Sequence, residues 1–161
     1  MTITYRIANT KEDFETGKKL FEEYVNSLNV DLSFQDFSKE LDTVSQQYNK
    51  PLGGLLLVFA DVLPAGCAGI RRLDDGIAEL KRMYIKNEYR GFKIGVALLQ
   101  RSIELAKTLG YKKLRLDTLA SMTKAQQLYK SFGFYEIGAY RYNPLVGTIY
   151  MEKDLQGEIH K

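Results

Sequence analysis

A chain of 161 residues, 45% hydrophobic and 27% charged, carries enough apolar material for one core and is read as one domain over residues 1–161. Its longest apolar run, 53–60, is strand-sized and far short of the ~20 residues that cross a bilayer. The N-terminus shows no basic stretch followed by an apolar one, so a cytoplasmic protein is expected. A single cysteine, Cys67, excludes an internal disulfide, and with one histidine, His160, it argues against a metal site.

The net charge of +3 is unevenly spread. Residues 1–50 hold six bases against nine acids, a balance of −3, whereas residues 86–115 hold eight bases against two acids, a balance of +6. A local excess of one sign steers ligands of the other. Nucleic-acid binding would require a larger basic patch with stacking aromatics, and is not expected.

Along the chain, residues 3–8 read as a strand. Thr10 with Asp13 three positions on is a helix-capping signal. Phe14, Leu20, Phe21, Tyr24, Val25 and Leu28 follow at roughly helical spacing. A second short helix is expected from Ser33, with Phe34, Phe37, Leu41 and Val44 on its buried stripe. Strands are then expected over 55–60, 66–73 and 77–85, with Asp74-Asp75-Gly76 as the turn between the last two. Residues 94–109 have helical period, and Gly110 suits the left-handed cap that ends such a helix. A strand over 112–118, a helix over 122–132 closed by Gly133, and strands over 134–139 and 148–153 complete the chain. This order predicts a mixed α/β (α+β) fold: a mostly antiparallel sheet of about seven strands, helices on both faces, and a parallel pair joined by the helix at 94–109.

The stretch Arg90-Gly91-Phe92-Lys93-Ile94-Gly95-Val96 joins the third meander strand to that helix. The first N–H groups of a helix have no partner within it and, with the helix dipole, form a site for phosphate. Arg90 and Lys93 add positive charge. The glycines fit neither a dinucleotide-binding nor a P-loop pattern.

Here the sequence resembles the GNAT superfamily of acetyl-CoA-dependent N-acetyltransferases, over nearly the whole chain and most sharply from Gly66 to Phe134. Arg90-Gly91-Phe92-Lys93-Ile94-Gly95 matches the family's Arg/Gln-x-x-Gly-x-Gly/Ala at both ends. Glu79 to Ile85 is similar to its fourth strand, and Ala125-Gln126-Gln127-Leu128-Tyr129 with Gly133-Phe134 to its Ala-x-x-Leu-Tyr…Gly-Phe motif. The resemblance implies that the backbone of Arg90, Gly91, Phe92, Lys93, Ile94, Gly95 and Val96 holds the coenzyme A pyrophosphate. It implies that Met83, Tyr84 and Ile85 serve pantetheine and the acetyl carbonyl, and that the parallel fourth and fifth strands splay to admit the pantetheine arm. Two positions depart from the pattern. Lys93 stands at the middle glycine, where its N–H stays available if φ is negative. Met122 stands at a pantetheine-binding asparagine, with Ser121 as a substitute.

Amine acetylation requires a proton acceptor for the amine, donors for the oxyanion and an acid for the leaving thiolate. Tyr129 is the candidate acid, a phenol of pKa near 10. Glu79 is the candidate base, on the expectation that burial raises its carboxyl toward neutral pH. Strand parity puts Glu79, Lys81 and Met83 on one side unless a bulge intervenes. Phe34, Gln35, Tyr140 and Tyr142 are candidates for the acceptor pocket. The acidic first third favours a cationic amine, on a small molecule, a peptide N-terminus or a protein lysine. GNAT relatives are often dimers, which makes a homodimer an expectation by resemblance. The competing reading is a non-catalytic module that binds coenzyme A or an acyl derivative, motivated by Lys93 and Met122. Cys67, with no histidine nearby in sequence, reads as a buried small hydrophobe.

Overall fold

The computed structural model describes residues 1–28, 36–141 and 147–156. β1 (Ile3–Ile7) leads into α1 (Lys11–Leu28). The capping pair is reciprocal: the Asp13 N–H donates to Thr10 Oγ1 at 3.1 Å and the Thr10 N–H to Asp13 Oδ2 at 3.3 Å. The expected second helix is two short ones, α2 (Phe37–Asp42) and α3 (Val44–Gln47). They are separated at Thr43, whose φ of −121° is not helical.

β2 (Gly54–Ala60), β3 (Leu63–Asp74) and β4 (Ile77–Ile85) form the meander. β3 begins three residues earlier than the sequence suggests, because Asp61 takes a left-handed φ of 55° and makes the hairpin tight. A 3-10 turn (Asn87–Tyr89) precedes α4 (Ile94–Thr108). β5 (Lys113–Thr118), α5 (Thr123–Ser131), β6 (Tyr135–Ile137) and β7 (Ile149–Asp154) follow.

The seven strands lie in the order β1-β2-β3-β4-β5-β7-β6. Among the described residues only β4 and β5 run parallel; the other pairs are antiparallel. Each face has its own core. On one side α4 and α5 bury Ile94, Leu98, Leu99, Ile103 and Tyr129 against Leu56, Ile70, Leu80, Leu114 and Leu116. On the other, α1 to α3 bury Phe14, Leu20, Phe21, Val44 and Tyr48 against Leu55, Leu57 and Cys67. Complete burial of one such side chain contributes about 1.5–3 kcal/mol, so both faces are firmly held.

Two irregularities open the sheet and set the direction of its backbone groups. First, β4 pairs with β5 only at Ile77–Lys113, Ala78–Leu114 and Glu79–Arg115, after which the strands part. Second, β4 carries a bulge. Lys81 faces Gly69 and Tyr84 faces Cys67, so Arg82 and Met83 together oppose one residue, Ala68. Arg82 adopts φ 58°, a left-handed conformation that costs a residue with a Cβ about 1–2 kcal/mol.

Candidate active site

The turn into α4 is built from positive-φ residues. Gly91 has φ 93°, and a Cβ placed there would meet nothing within 4 Å, so its backbone angle, not crowding, is what calls for glycine. Lys93, the N-cap of α4, has φ 60° and ψ 21°. The condition of a negative φ at Lys93 is therefore not met: lysine occupies the left-handed conformation its glycine counterpart would take. The first helical bond runs from the Ala97 N–H to Lys93 O at 3.3 Å. The N–H groups of Ile94, Gly95 and Val96 thus precede the helix's own bonding and are open to a ligand. Arg90, Gly91, Phe92 and Lys93 are exposed, while Ile94 is buried and anchors the turn. Arg90 Nε donates to Ile85 O at 3.0 Å, tying the turn to the end of β4. Exposed N–H groups at the positive end of a 15-residue helix, flanked by two cations, suit a diphosphate.

The gap between β4 and β5 opens beside this turn. Because of the bulge, Glu79 and Lys81 share a face with Tyr84, not with Met83: Tyr84 joins the α1 side, and Met83 and Ile85 join the α4 side. The parity expected for Met83 is corrected on that ground. Ser121 is exposed in the turn ahead of α5. Met122 caps α5 without a side-chain bond, and its sulfur accepts from Thr118 Oγ1 at 3.7 Å.

The α1 side of the gap is polar and buried. Glu79 is fully buried; its Oε1 accepts from Arg71 Nε at 3.1 Å, and its Oε2 from the Tyr140 hydroxyl at 2.8 Å and from Arg141. Burial pulls its carboxyl upward, but the charges of Lys81, Arg71 and Arg141 and the Tyr140 hydrogen bond outweigh that and hold it below the usual carboxylate range. The expected upward shift of Glu79 is thus reversed: it is a pinned carboxylate with both oxygens engaged. Next to it, burial lowers Lys81 to about 8, helped by Arg82 and Arg71 and opposed by Glu79 and Glu40.

Across the gap stands Asp117 of β5. Its Oδ2 is buried and has no hydrogen-bond partner among the described residues; Arg141 Nη1 lies 4.0 Å away. A buried carboxylate oxygen without a donor is costly, and such an atom marks a place for a ligand. The negative charge of Asp117 reaches the hydroxyls of Tyr24, Tyr129 and Tyr140. Tyr129 is buried edge-on against Phe134, with ring centroids 5.7 Å apart. Burial, reinforced by Tyr24 and Asp117, pushes its pKa upward, so its proton stays on and it remains a donor. Phe34, Gln35 and Tyr142, expected at the acceptor pocket, lie outside the described residues.

An acetyltransferase (GNAT) family model matches residues 19–134, most of the chain. The chain belongs to the GNAT family of acetyltransferases. It is 35% identical over 147 residues to an uncharacterized N-acetyltransferase of Schizosaccharomyces pombe, spanning 89% of this chain and 90% of that one. It is 36% identical over 121 residues to the N-acetylaspartate synthetase of Danio rerio, spanning 71% of this chain and 42% of the relative. Among solved structures, the PaiA N-acetyltransferase of Thermoplasma acidophilum in complex with coenzyme A superposes with a TM-score of 0.72 at 25% identity, over 96% of this chain and 99% of that one.

In this GNAT acyltransferase Arg90 ties the 90–96 turn to the end of β4, and Tyr129 lies within electrostatic reach of Asp117. Sequence reading missed Asp117, whose signal is simply the one acid in a strand that alternates Lys113, Arg115 and Asp117 with Leu114 and Leu116. It also missed the roles of Glu40 and Tyr24, which stand in none of the quoted GNAT segments, and of Arg82, which stands in the fourth-strand segment but at no position that the resemblance singles out.

Proposed function

We propose that this GNAT acyltransferase transfers the acetyl group of acetyl-coenzyme A to an amine by direct attack within a ternary complex. The open N–H groups of Ile94, Gly95 and Val96, with Arg90 and Lys93, hold the diphosphate. Gly91 and Phe92 shape the turn, and Ser121 lies at the mouth of the gap. On its β5 side, where it has no strand partner, the stretch of β4 from Met83 to Ile85 offers backbone groups to the pantetheine arm and the acetyl carbonyl.

The observation that carries the reading is the orphaned Oδ2 of Asp117. An amine acceptor gives that oxygen the donor it lacks, and Asp117 takes the proton as the amine attacks. Attack requires a neutral amine, so a carboxylate with a buried, unpartnered oxygen beside it does two tasks: it draws the amine in and then deprotonates it. Tyr129, with its proton firmly held, supplies it to the departing thiolate. Glu79, the base expected from sequence, instead orients Arg71, Arg141 and Tyr140 as the chamber floor.

The charges beside the gap also bear on the acceptor. Among the described residues beside the gap, Arg71, Lys81 and Arg141 stand against Glu79 and Asp117, three positive groups against two negative. That balance supports an acceptor bearing an acidic group besides its amine, in contrast to the cationic amine suggested by the acidic first third. N-acetylaspartate synthetases among the relatives make aspartate the first acceptor to try.

The test is release of free thiol from acetyl-coenzyme A with a panel of amines: aspartate, glutamate, neutral amino acids, polyamines and peptide N-termini. Turnover with one class, lost in Asp117→Asn, is expected. Absence of affinity for acetyl-coenzyme A by calorimetry would end the proposal.

A further inference from the structure

The bulge in β4 is not left to the sheet to maintain. Arg82, its left-handed residue, turns its guanidinium into the α1 side, where α2 supplies Glu40. The fork is bidentate: Nη2 donates to Oε1 at 2.8 Å and Nε to Oε2 at 3.1 Å. The Tyr48 hydroxyl donates to the same Oε2 at 2.9 Å. The Phe37 ring lies 5.1 Å from the guanidinium carbon. Glu40, Arg82 and Tyr48 are all buried. Burial draws the Glu40 carboxyl upward, but the Arg82 hydrogen bonds and charge, with Lys81 and Arg71, hold it below its ordinary range, so the pair is ionised.

A bidentate guanidinium–carboxylate pair fixes direction as well as distance. Glu40 therefore fixes where the Arg82 side chain leaves the strand. In a non-glycine residue held at φ 58°, that in turn stabilises a backbone turn the residue would otherwise relax. The bulge decides which of the following N–H and C=O groups of β4 serve the pairing of Tyr84 and Ile85 with β3 and which are left for the side without β5 pairing.

Resting on the acetyl-transfer reading, we propose that Glu40, acting through Arg82, is a positioning residue: it holds the β4 bulge that aims a backbone N–H at the thioester carbonyl. Neither residue touches the reacting atoms. Their effect is on the angle of a donor whose misplacement by about 1 Å can cost about 10²-fold in rate.

The test compares wild type, Glu40→Gln, and the double variant Glu40→Gln with Arg82→Gly. The glutamine has the shape of glutamate without its charge. The glycine removes the guanidinium and adopts a positive φ freely. For each protein, kcat and KM are measured per folded molecule, with calorimetric affinities for acetyl-coenzyme A and for coenzyme A. Glu40→Gln is expected to lower kcat about 10- to 100-fold, with coenzyme A affinity unchanged because the 90–96 turn is untouched. Its preference for acetyl-coenzyme A over coenzyme A should shrink. The double variant is expected to recover most of the lost kcat, since glycine keeps the bulge without the clamp. Equal kcat per folded molecule in wild type and Glu40→Gln would overturn the proposal, as would a double variant no better than the single. If Glu40→Gln does not fold, the double variant alone decides, with near wild-type preference for acetyl-coenzyme A supporting the bulge and loss of that preference overturning it. Wild type that binds neither ligand would instead defeat the acetyl-transfer reading itself.

Discussion

Glu79 of β4 and Arg115 of β5 are the last residues that face each other across the parallel pair. β4 continues to Ile85 and β5 to Thr118 with no further pairing between them. The sheet thus keeps its continuity at one end and opens at the other. The opening has the phosphate-suited turn at its edge, Tyr129 behind it, and Asp117 on its far wall. Backbone hydrogen-bonding groups are rarely left idle inside a protein, so an unpaired strand edge flanked by a helix N-terminus is itself a statement that a polar ligand belongs there.

Asp117→Asn tests the proton acceptor. Asparagine keeps the shape and removes both the charge and the basicity. The expected outcome is a fall in kcat/KM of about 10²- to 10⁴-fold, with coenzyme A affinity unchanged. The melting temperature should hold or rise, because the carboxylate oxygen has no hydrogen-bond donor among the described residues. Steady-state kinetics with calorimetry and thermal melts check this. Retention of activity within about twofold would remove Asp117 from the chemistry, since general base catalysis is worth far more.

Tyr129→Phe separates catalysis from mere binding. The ring packs on Phe134, and the hydroxyl has no hydrogen-bond partner among the described residues. Phenylalanine should therefore preserve the core, with stability changed by no more than about 0.5 kcal/mol. Turnover should fall at least about tenfold if the hydroxyl protonates the thiolate. A variant that is as stable and as active as wild type would point to tyrosine as core filling.

Lys93→Gly sets stability against ligand binding. Lysine at φ 60° carries the left-handed penalty that glycine avoids. The glycine variant is expected to be more stable by about 1 kcal/mol in denaturant unfolding. It should also bind coenzyme A somewhat more weakly, with a smaller dependence on salt, because a cation near the diphosphate is gone. Lys93→Val, β-branched at the same angle, should lose stability instead. If neither variant shifts the unfolding midpoint, the left-handed N-cap is not the conformation in solution.

Most of the fold is written locally. The helical period of 94–108, the Asp74–Gly76 turn and the Thr10–Asp13 capping pair each need only a handful of neighbouring residues, and sequence reading finds them. What it misses depends on distant partners. Glu40 and Arg82 are 42 residues apart, and Glu79 and Tyr140 are 61 apart. No local pattern marks either pair. The bulge at Arg82 carries no glycine, asparagine or aspartate to announce it, so simple alternation puts Met83 on the wrong face. Glu79 shows the same limit in energetic form. Burial alone would raise a carboxyl, but Lys81 two residues on, together with the distant Arg71 and Arg141 and the Tyr140 hydrogen bond, reverses the sign. The turn that suits coenzyme A is legible because a phosphate site at a helix N-terminus is made of backbone, and backbone geometry follows from glycine placement and helix start.

Lys81 gives a prediction in pH. Its amine is lowered from 10.5 to about 8, first by burial, then by the nearby charges of Arg82 and Arg71. A lysine whose folded pKa lies below its unfolded one binds fewer protons when folded across the interval between them. Stability from this group therefore rises with pH from about 8 to about 10.5 and is lost as pH falls back through about 8. At about 1.4 kcal/mol per pKa unit, the full span is about 3 kcal/mol. Tyrosines also titrate near the top of this range, so the informative quantity is the stability of wild type minus that of Lys81→Met, measured by urea unfolding at several pH values. That difference should be flat below pH ~7 and climb in favour of wild type through pH ~8–10. A difference that stays level across the window would mean that Lys81 is solvated in the folded protein, and that the charged floor beneath the gap is wetter than its burial implies.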